Sequence, residues 1–137
     1  MKILVIDAQG GGLGKQIVGR IKEERPDDEI IAVGTNTEAT NAMRKAGADI
    51  SATGENAVIV NSRNADVICG PIGIVIADSL YGEITPEMAK AVAQSNATRL
   101  LIPINRCENI IIGVEKPNLS SMVDMLVEQI AALDTKK

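Results

Sequence analysis

Apolar positions in this chain fall into short continuous runs and into longer stretches with helical spacing, and the two kinds alternate. Lys2-Ile3-Leu4-Val5-Ile6 is a run of the length and kind seen in a parallel strand buried on both faces. In the stretch that follows, Leu13, Ile17 and Ile21 recur at helical spacing as far as Glu24, predicting a helix from Gln16 to Glu24 that stops at the polar turn Arg25-Pro26-Asp27-Asp28. Glu29 to Val33 predicts a second strand, and Glu38 to Ala46 a second helix closed by Gly47. Asp49-Ile50-Ser51-Ala52 is a short third strand, with Thr53 or Asn56 to cap the next element. Ala57 to Asn64 contains Val58-Ile59-Val60, which favours a strand on propensity, but the alternating order favours a helix, and a helix is the expectation. Ala65 to Cys69 gives the fourth strand, ending at Gly70-Pro71.

The next run, Ile72 to Ala77, fits a short helix, a buried strand or a loop over a cleft. Thr85-Pro86-Glu87 is a helix start, with a capping hydroxyl, proline at the first position and an acid in the first turn. Arg99 to Ile104 predicts a fifth strand, and Asn109 to Val114, around Ile110-Ile111-Ile112, a sixth. The last helix starts at Pro117-Asn118 and carries a stripe of Leu119, Met122, Val123, Leu126, Ile130 and Leu133. This order predicts one α/β domain over residues 1–137: a doubly wound, mainly parallel, Rossmann-like sheet with helices on both faces. Ligands of such sheets sit beyond the carboxyl ends of the strands. That rule gathers Asp7 to Gly14, Gly34 to Asn36, Thr53 to Asn56, Cys69 to Gly73 and Asn105 to Cys107 at one edge.

Asp7-Ala-Gln-Gly-Gly-Gly-Leu-Gly-Lys15 joins the first strand to the first helix and is the main chemical signal. Its glycines permit positive φ and close backbone approach, and the helix turns unsatisfied N–H groups and its positive dipole end to the same place. Asp7, Gln9, Gly10, Gly11, Gly12, Leu13 and Gly14 are therefore candidate contacts for a phosphate-bearing ligand, with Lys15 adding charge. The alternative is a tight turn that binds nothing. As a P-loop the stretch has Gln9 at the opening glycine and Gln16 at the magnesium-binding Ser or Thr, which argues against an NTPase. Beyond the second strand no acid is available for a ribose 2′-hydroxyl; Thr35 and Asn36 are candidates for a 2′-phosphate, or Asn36 or Thr37 simply caps the helix. Gly70 and Pro71 complete the candidate cofactor contacts, for NAD(P) or another nucleotide.

Composition narrows the classes. With no His, Trp or Phe among 137 residues, the chain lacks the commonest metal ligand, so no metal site is expected, and its core must be aliphatic. A net charge of −4 without a basic stripe argues against nucleic acid, and no apolar run reaches membrane-spanning length. Two cysteines without metal spacing suggest reduced thiols in a cytoplasmic protein, and both are expected to be structural. Asp7, Glu55 and Glu83 are the candidate bases, with Asp7 most simply a cap on its own turn. Tyr81 and Lys90 lie nine residues apart, so the Tyr-x-x-x-Lys pair of dehydrogenases is absent. The 45% apolar content and the Ile72 to Ala77 run predict self-association, with a homodimer as the simplest form.

Two resemblances add to this. Gly12-Leu13-Gly14 is similar to the second half of the turn of short-chain dehydrogenases, with Ala8 where their first glycine stands; it covers only the first strand, turn and helix. The opening from Lys2 to Gln16, Ala52-Thr-Gly-Glu-Asn-Ala57 and Gly70-Pro-Ile-Gly-Ile-Val75 resemble a small bacterial family known only as a domain of unknown function. That second resemblance runs from the first strand to the fifth. It implies a Rossmann-like single domain and supplies no activity or catalytic residue. Three classes follow: a nucleotide- or dinucleotide-binding module, which the glycine loop favours; a small NAD(P)-dependent oxidoreductase whose site a partner subunit completes; and an assembly protein without a ligand.

Overall fold

Five parallel strands in the order β3-β2-β1-β4-β5 form the centre of the computed structural model, which describes residues 1–104, 108–114 and 118–135. The strands are β1 (Lys2–Asp7), β2 (Glu29–Gly34), β3 (Ile50–Thr53), β4 (Val67–Pro71) and β5 (Thr98–Ile102). The helices are α1 (Gly12–Glu24), α2 (Thr37–Lys45), α3 (Glu55–Ser62), α4 (Pro86–Gln94) and α5 (Leu119–Thr135). From β1 the chain winds outward through β2 and β3, then returns to place β4 on the other side of β1. The predicted doubly wound α/β sheet is what forms.

The period of two along β1 divides the interior into two layers. Ile3 and Val5 face α1, α2 and α5, in a cluster with Ile17, Ile21, Met43, Val67, Cys69, Val123 and Ile130. Leu4 and Ile6 face the other side, with Val58, Ile68, Ile74, Ile84, Met88 and Val92. Both faces of the sheet are thereby covered, as a parallel sheet requires.

Local chemistry sets the ends of several elements. Asn36 caps α2 by accepting from the Ala39 N–H at 2.9 Å, and Thr85 caps α4 by accepting from the Met88 N–H at 3.1 Å. Ala57 to Asn64 lies mostly in α3, so the alternating order prevails over the propensity of Val58-Ile59-Val60. The cap of α3 differs from expectation. Gly54, at φ 105°, holds the cap position without a side-chain bond, while Thr53 Oγ1 instead meets Thr40 Oγ1 at 2.7 Å. Ile72–Val75 is a short 3-10 turn whose Ile74 is fully buried.

The sixth strand does not form. Residues 108–114 contain turns, with φ 66° at Glu108 and 91° at Gly113 and a bond from the Val114 N–H to the Ile111 carbonyl at 3.3 Å. Ile110 is 81% exposed and Ile112 91% exposed, Ile111 is half-buried, and no described strand pairs with them. The expectations for Asn105, Arg106, Cys107 and Pro117 lie outside the described residues. No helix among the described residues is long and apolar enough to cross a membrane.

Candidate functional site

The glycine loop is shaped by Asp7, the last residue of β1, more than by its glycines alone. One carboxylate oxygen of Asp7 accepts from the Ala8 N–H at 2.8 Å and the other from the Gly14 N–H at 2.7 Å, so a single side chain ties both ends of the loop together. Asp7 is only 6% exposed. Burial raises its pKa above the ordinary carboxylate value, the Gly14 and Ala8 N–H groups pull it back, and the charge of Glu83 raises it further. Asp7 thus both caps its own turn and orients the loop.

Within that frame the chain turns at Gln9 (φ 53°) and Gly11 (φ 73°), and the Gly11 N–H bonds back to the Ala8 carbonyl at 3.0 Å. Gly14 allows α1 to lie against α2: a Cβ there would stand 2.5 Å from Met43 Sδ and 2.9 Å from the Asp7 Cβ. The Gly14 N–H is used by Asp7, and no described acceptor takes the N–H groups of Gly10, Gly12 and Leu13. The last two are the orphan donors expected in the first turn of a helix.

Gly10, Gly12 and Leu13 line a cavity of about 250 Å³ together with Asp7, Ala8, Gln9, Gly11 and Gln16. Its far wall is Pro71 at the end of β4, with Leu80, Ile104 and Leu119. The cavity lies at the carboxyl ends of β1 and β4, where the strand order reverses and where open α/β sheets bind their ligands.

The structure therefore brings together Asp7, Gln9, Gly10, Gly11, Gly12, Leu13 and Pro71. Gly14 serves the same loop from behind. Gly70 lies one residue back in β4, where a Cβ would be 2.5 Å from the Ile6 carbonyl oxygen, so its role is strand packing. Lys15 is exposed and borders a different hollow on the outer flank of α1, with Arg20 and Glu23.

Thr35 and Asn36 are engaged by a residue from far along the chain. Glu83 Oε1 accepts from Thr35 Oγ1 at 2.7 Å, from Asn36 Nδ2 at 2.8 Å and from the Gln9 N–H at 3.0 Å. Asn36 Nδ2 also donates to the Gln9 carbonyl at 3.0 Å. Burial works to raise the Glu83 pKa, but the hydrogen bonds from Thr35, Gln9 and Asn36 outweigh it and hold the carboxyl below its ordinary value. Glu83 was named from sequence only as a possible base; nothing in the neighbouring residues links it to the end of β2. Gln16, Leu80, Ile104 and Leu119 also line the cavity, and none of them is among the ligand contacts that the sequence suggests.

Of the other reactive candidates, Glu55 is engaged and Cys69 is enclosed. Glu55 accepts from Thr85 Oγ1 at 2.6 Å. Cys69 is fully buried in the centre of the sheet, and burial pushes its thiol pKa up, away from the reactive thiolate. Tyr81 is 99% exposed on the connection between β4 and α4.

Residues 2–135 match the family described as domain of unknown function DUF3842. A search of curated proteins finds no match. Among solved structures, the crystal structure of a dodecameric FMN-dependent UbiX-like decarboxylase from Escherichia coli O157:H7 is similar to 96% of this chain at 19% identity, with a TM-score of 0.47; the similarity spans 76% of that chain.

Proposed function

We propose, for a chain that belongs to the DUF3842 family of unknown function, a role read from its geometry: it binds a small phosphate-bearing ligand, a nucleotide in the first instance, at the glycine loop. One observation carries this reading. The N–H groups of Gly10, Gly12 and Leu13 have no described acceptor, and these three residues border one cavity at the β1–β4 switch, at the positive end of the α1 dipole. Thr35 and Asn36, the donors on which a 2′-phosphate would depend, are already engaged by Glu83. A cavity of about 250 Å³ with that arrangement favours a mononucleotide-sized ligand over NAD(P). No described nucleophile or free base stands in the cavity, so binding is favoured over catalysis.

The test uses Gly12, where an added side chain meets nothing within 4 Å. Gly12→Val is expected to fold normally and to lower affinity for inorganic phosphate or a nucleotide by about tenfold or more, because the branched side chain occupies the approach to the N–H groups. A thermal-shift screen of wild type over phosphate, AMP, ATP, FMN, NAD(H) and NADP(H) provides the reference; ligand at 100 times its Kd stabilises by about 2.7 kcal/mol. Equal affinities in wild type and Gly12→Val reduce the loop to a turn.

Self-association as a homodimer is the second part of the proposal. β5 is the outer strand on its side of the sheet, and Met125, Ile110 and Ile112 are exposed large apolar side chains. A second copy of this chain, placing its own β5 edge alongside, would use unpaired strand groups and apolar side chains at once. Sedimentation at micromolar concentration is expected to give the dimer mass, and replacing Met125 and Ile112 with glutamate the monomer mass. A monomeric wild type overturns the arrangement.

A further inference from the structure

We propose that Glu83 supplies the acceptor for ribose hydroxyls, so that the ligand of the glycine loop is a ribonucleoside phosphate with an unphosphorylated sugar. The inference rests on the phosphate reading above and adds the chemistry of the sugar.

Dinucleotide-binding sheets commonly place an acidic side chain just beyond β2, where it holds the ribose hydroxyl. In this chain β2 is followed by Gly34, Thr35 and Asn36, and the acid is absent from the local sequence. The fold restores a carboxylate at that position from another element. The connection between β4 and α4 delivers Glu83 to Thr35 and Asn36, across sequence separations of 48 and 47 residues.

The hydrogen bonding of Glu83 is uneven. Oε1 takes all three donors, from Thr35, Asn36 and Gln9. Oε2 has no hydrogen bond, and the carboxylate no ion pair, among the described residues. The group is half-buried, so one oxygen is fixed and the other is left as an acceptor beside the loop. A purely mechanical tether has no need of this charge. A neutral amide oxygen would satisfy the same three donors, whereas the carboxylate sits close enough to Asp7 for the two charges to oppose each other. Preorganised carboxylate acceptors suit sugar hydroxyls, which can donate to them, and repel a 2′-phosphate.

The connection is built to hold this position. Asp78, Leu80 and Tyr81 have φ of 63°, 56° and 57°, a left-handed conformation that non-glycine residues adopt at a cost. The Asp78 N–H bonds to the Ile84 carbonyl at 2.8 Å, and Ser79 Oγ to the Gly73 carbonyl at 2.5 Å. The same connection places Leu80 in the wall of the glycine-loop cavity. Gln9 joins the two halves of the site: its N–H holds Glu83, while it and Gly10 to Leu13 line the cavity.

The experiment is calorimetric titration of wild type and Glu83→Gln with inorganic phosphate, the four ribonucleoside 5′-monophosphates and their 2′,3′-dideoxy counterparts. Wild type is expected to bind at least one ribonucleotide about tenfold or more tightly than its dideoxy form. Glu83→Gln is expected to reduce that preference to within about twofold and to leave phosphate affinity nearly unchanged, or slightly raised by loss of a negative charge. Equal wild-type affinities for ribo and dideoxy forms overturn the inference without any variant and leave the phosphate reading standing. So does a Glu83→Gln protein that loses phosphate and ribonucleotide binding in equal proportion, since Glu83 is then only a tether. A wild type that binds neither phosphate nor any nucleotide overturns both readings.

Discussion

Gly11→Ala is expected to destabilise the protein by about 3 kcal/mol, measured as a lower urea midpoint with an unchanged slope. Two independent effects add. Gly11 has φ 73°, a conformation that costs a non-glycine residue roughly 1–2 kcal/mol. A Cβ there would also lie 2.8 Å from the Ala39 Cα and 2.9 Å from its carbonyl oxygen, so the start of α1 and the first turn of α2 would have to separate. Backbone atoms cannot swing aside as a side-chain tip can. The control is the next residue, Gly12, where nothing lies within 4 Å and alanine is expected to be neutral or mildly stabilising as a better helix former. A Gly11→Ala midpoint equal to that of Gly12→Ala would mean that α1 and α2 do not approach as closely as described.

Met43→Ala is expected to cost about 3 kcal/mol, within the range for removing a fully buried large aliphatic side chain. Met43 packs in the layer formed by Val18, Ile21, Ile30 and Ala32, and its Sδ occupies the space that a Gly14 Cβ would need. Gly14→Ala alone is therefore also expected to destabilise, by about 1–2 kcal/mol. The two changes should be coupled. In the double variant the shortened side chain at 43 leaves room for the new methyl at 14, and the combined loss should fall short of the sum by about 1 kcal/mol. The Asp7 Cβ, 2.9 Å from the same point, prevents complete relief. Strict additivity in chemical denaturation would refute the shared space.

These two glycines mark what was legible in the sequence. A strand, a glycine turn and an amphipathic helix identify the first βα unit because each signal is local: the run Ile3 to Ile6, the left-handed turn at Gly11, and Ile17 and Ile21 one turn apart. The helix α3 was legible only from the order of its neighbours, since Val58-Ile59-Val60 alone favours a strand. Ile110-Ile111-Ile112 is the counterexample. There, propensity had no support from order, and the positive φ of Gly113 turns the chain instead. Asn36 and Thr85 were recognisable as caps because a cap bonds three residues ahead; Gly54 was not, because its role depends on φ and not on a side chain.

In the candidate site, the glycine loop was legible and the environment of Thr35 and Asn36 was not. Glu83 reaches them through a connection whose course depends on four left-handed residues, of which Leu80 and Tyr81 carry no sequence signature for that conformation. Lys15 illustrates a limit of reading motifs along a line. It adjoins the loop in sequence, but the helix carries its side chain to the outer flank, away from the inward stripe of Leu13, Gly14, Ile17 and Val18.

The exposed ring of Tyr81 has an optical consequence. The chain has no tryptophan and no phenylalanine, so this tyrosine is its one aromatic chromophore, and it sits two residues from Glu83 on the same connection. Near-ultraviolet emission, its anisotropy and its quenching by small solutes therefore report on that connection with no label and no background from the rest of the fold.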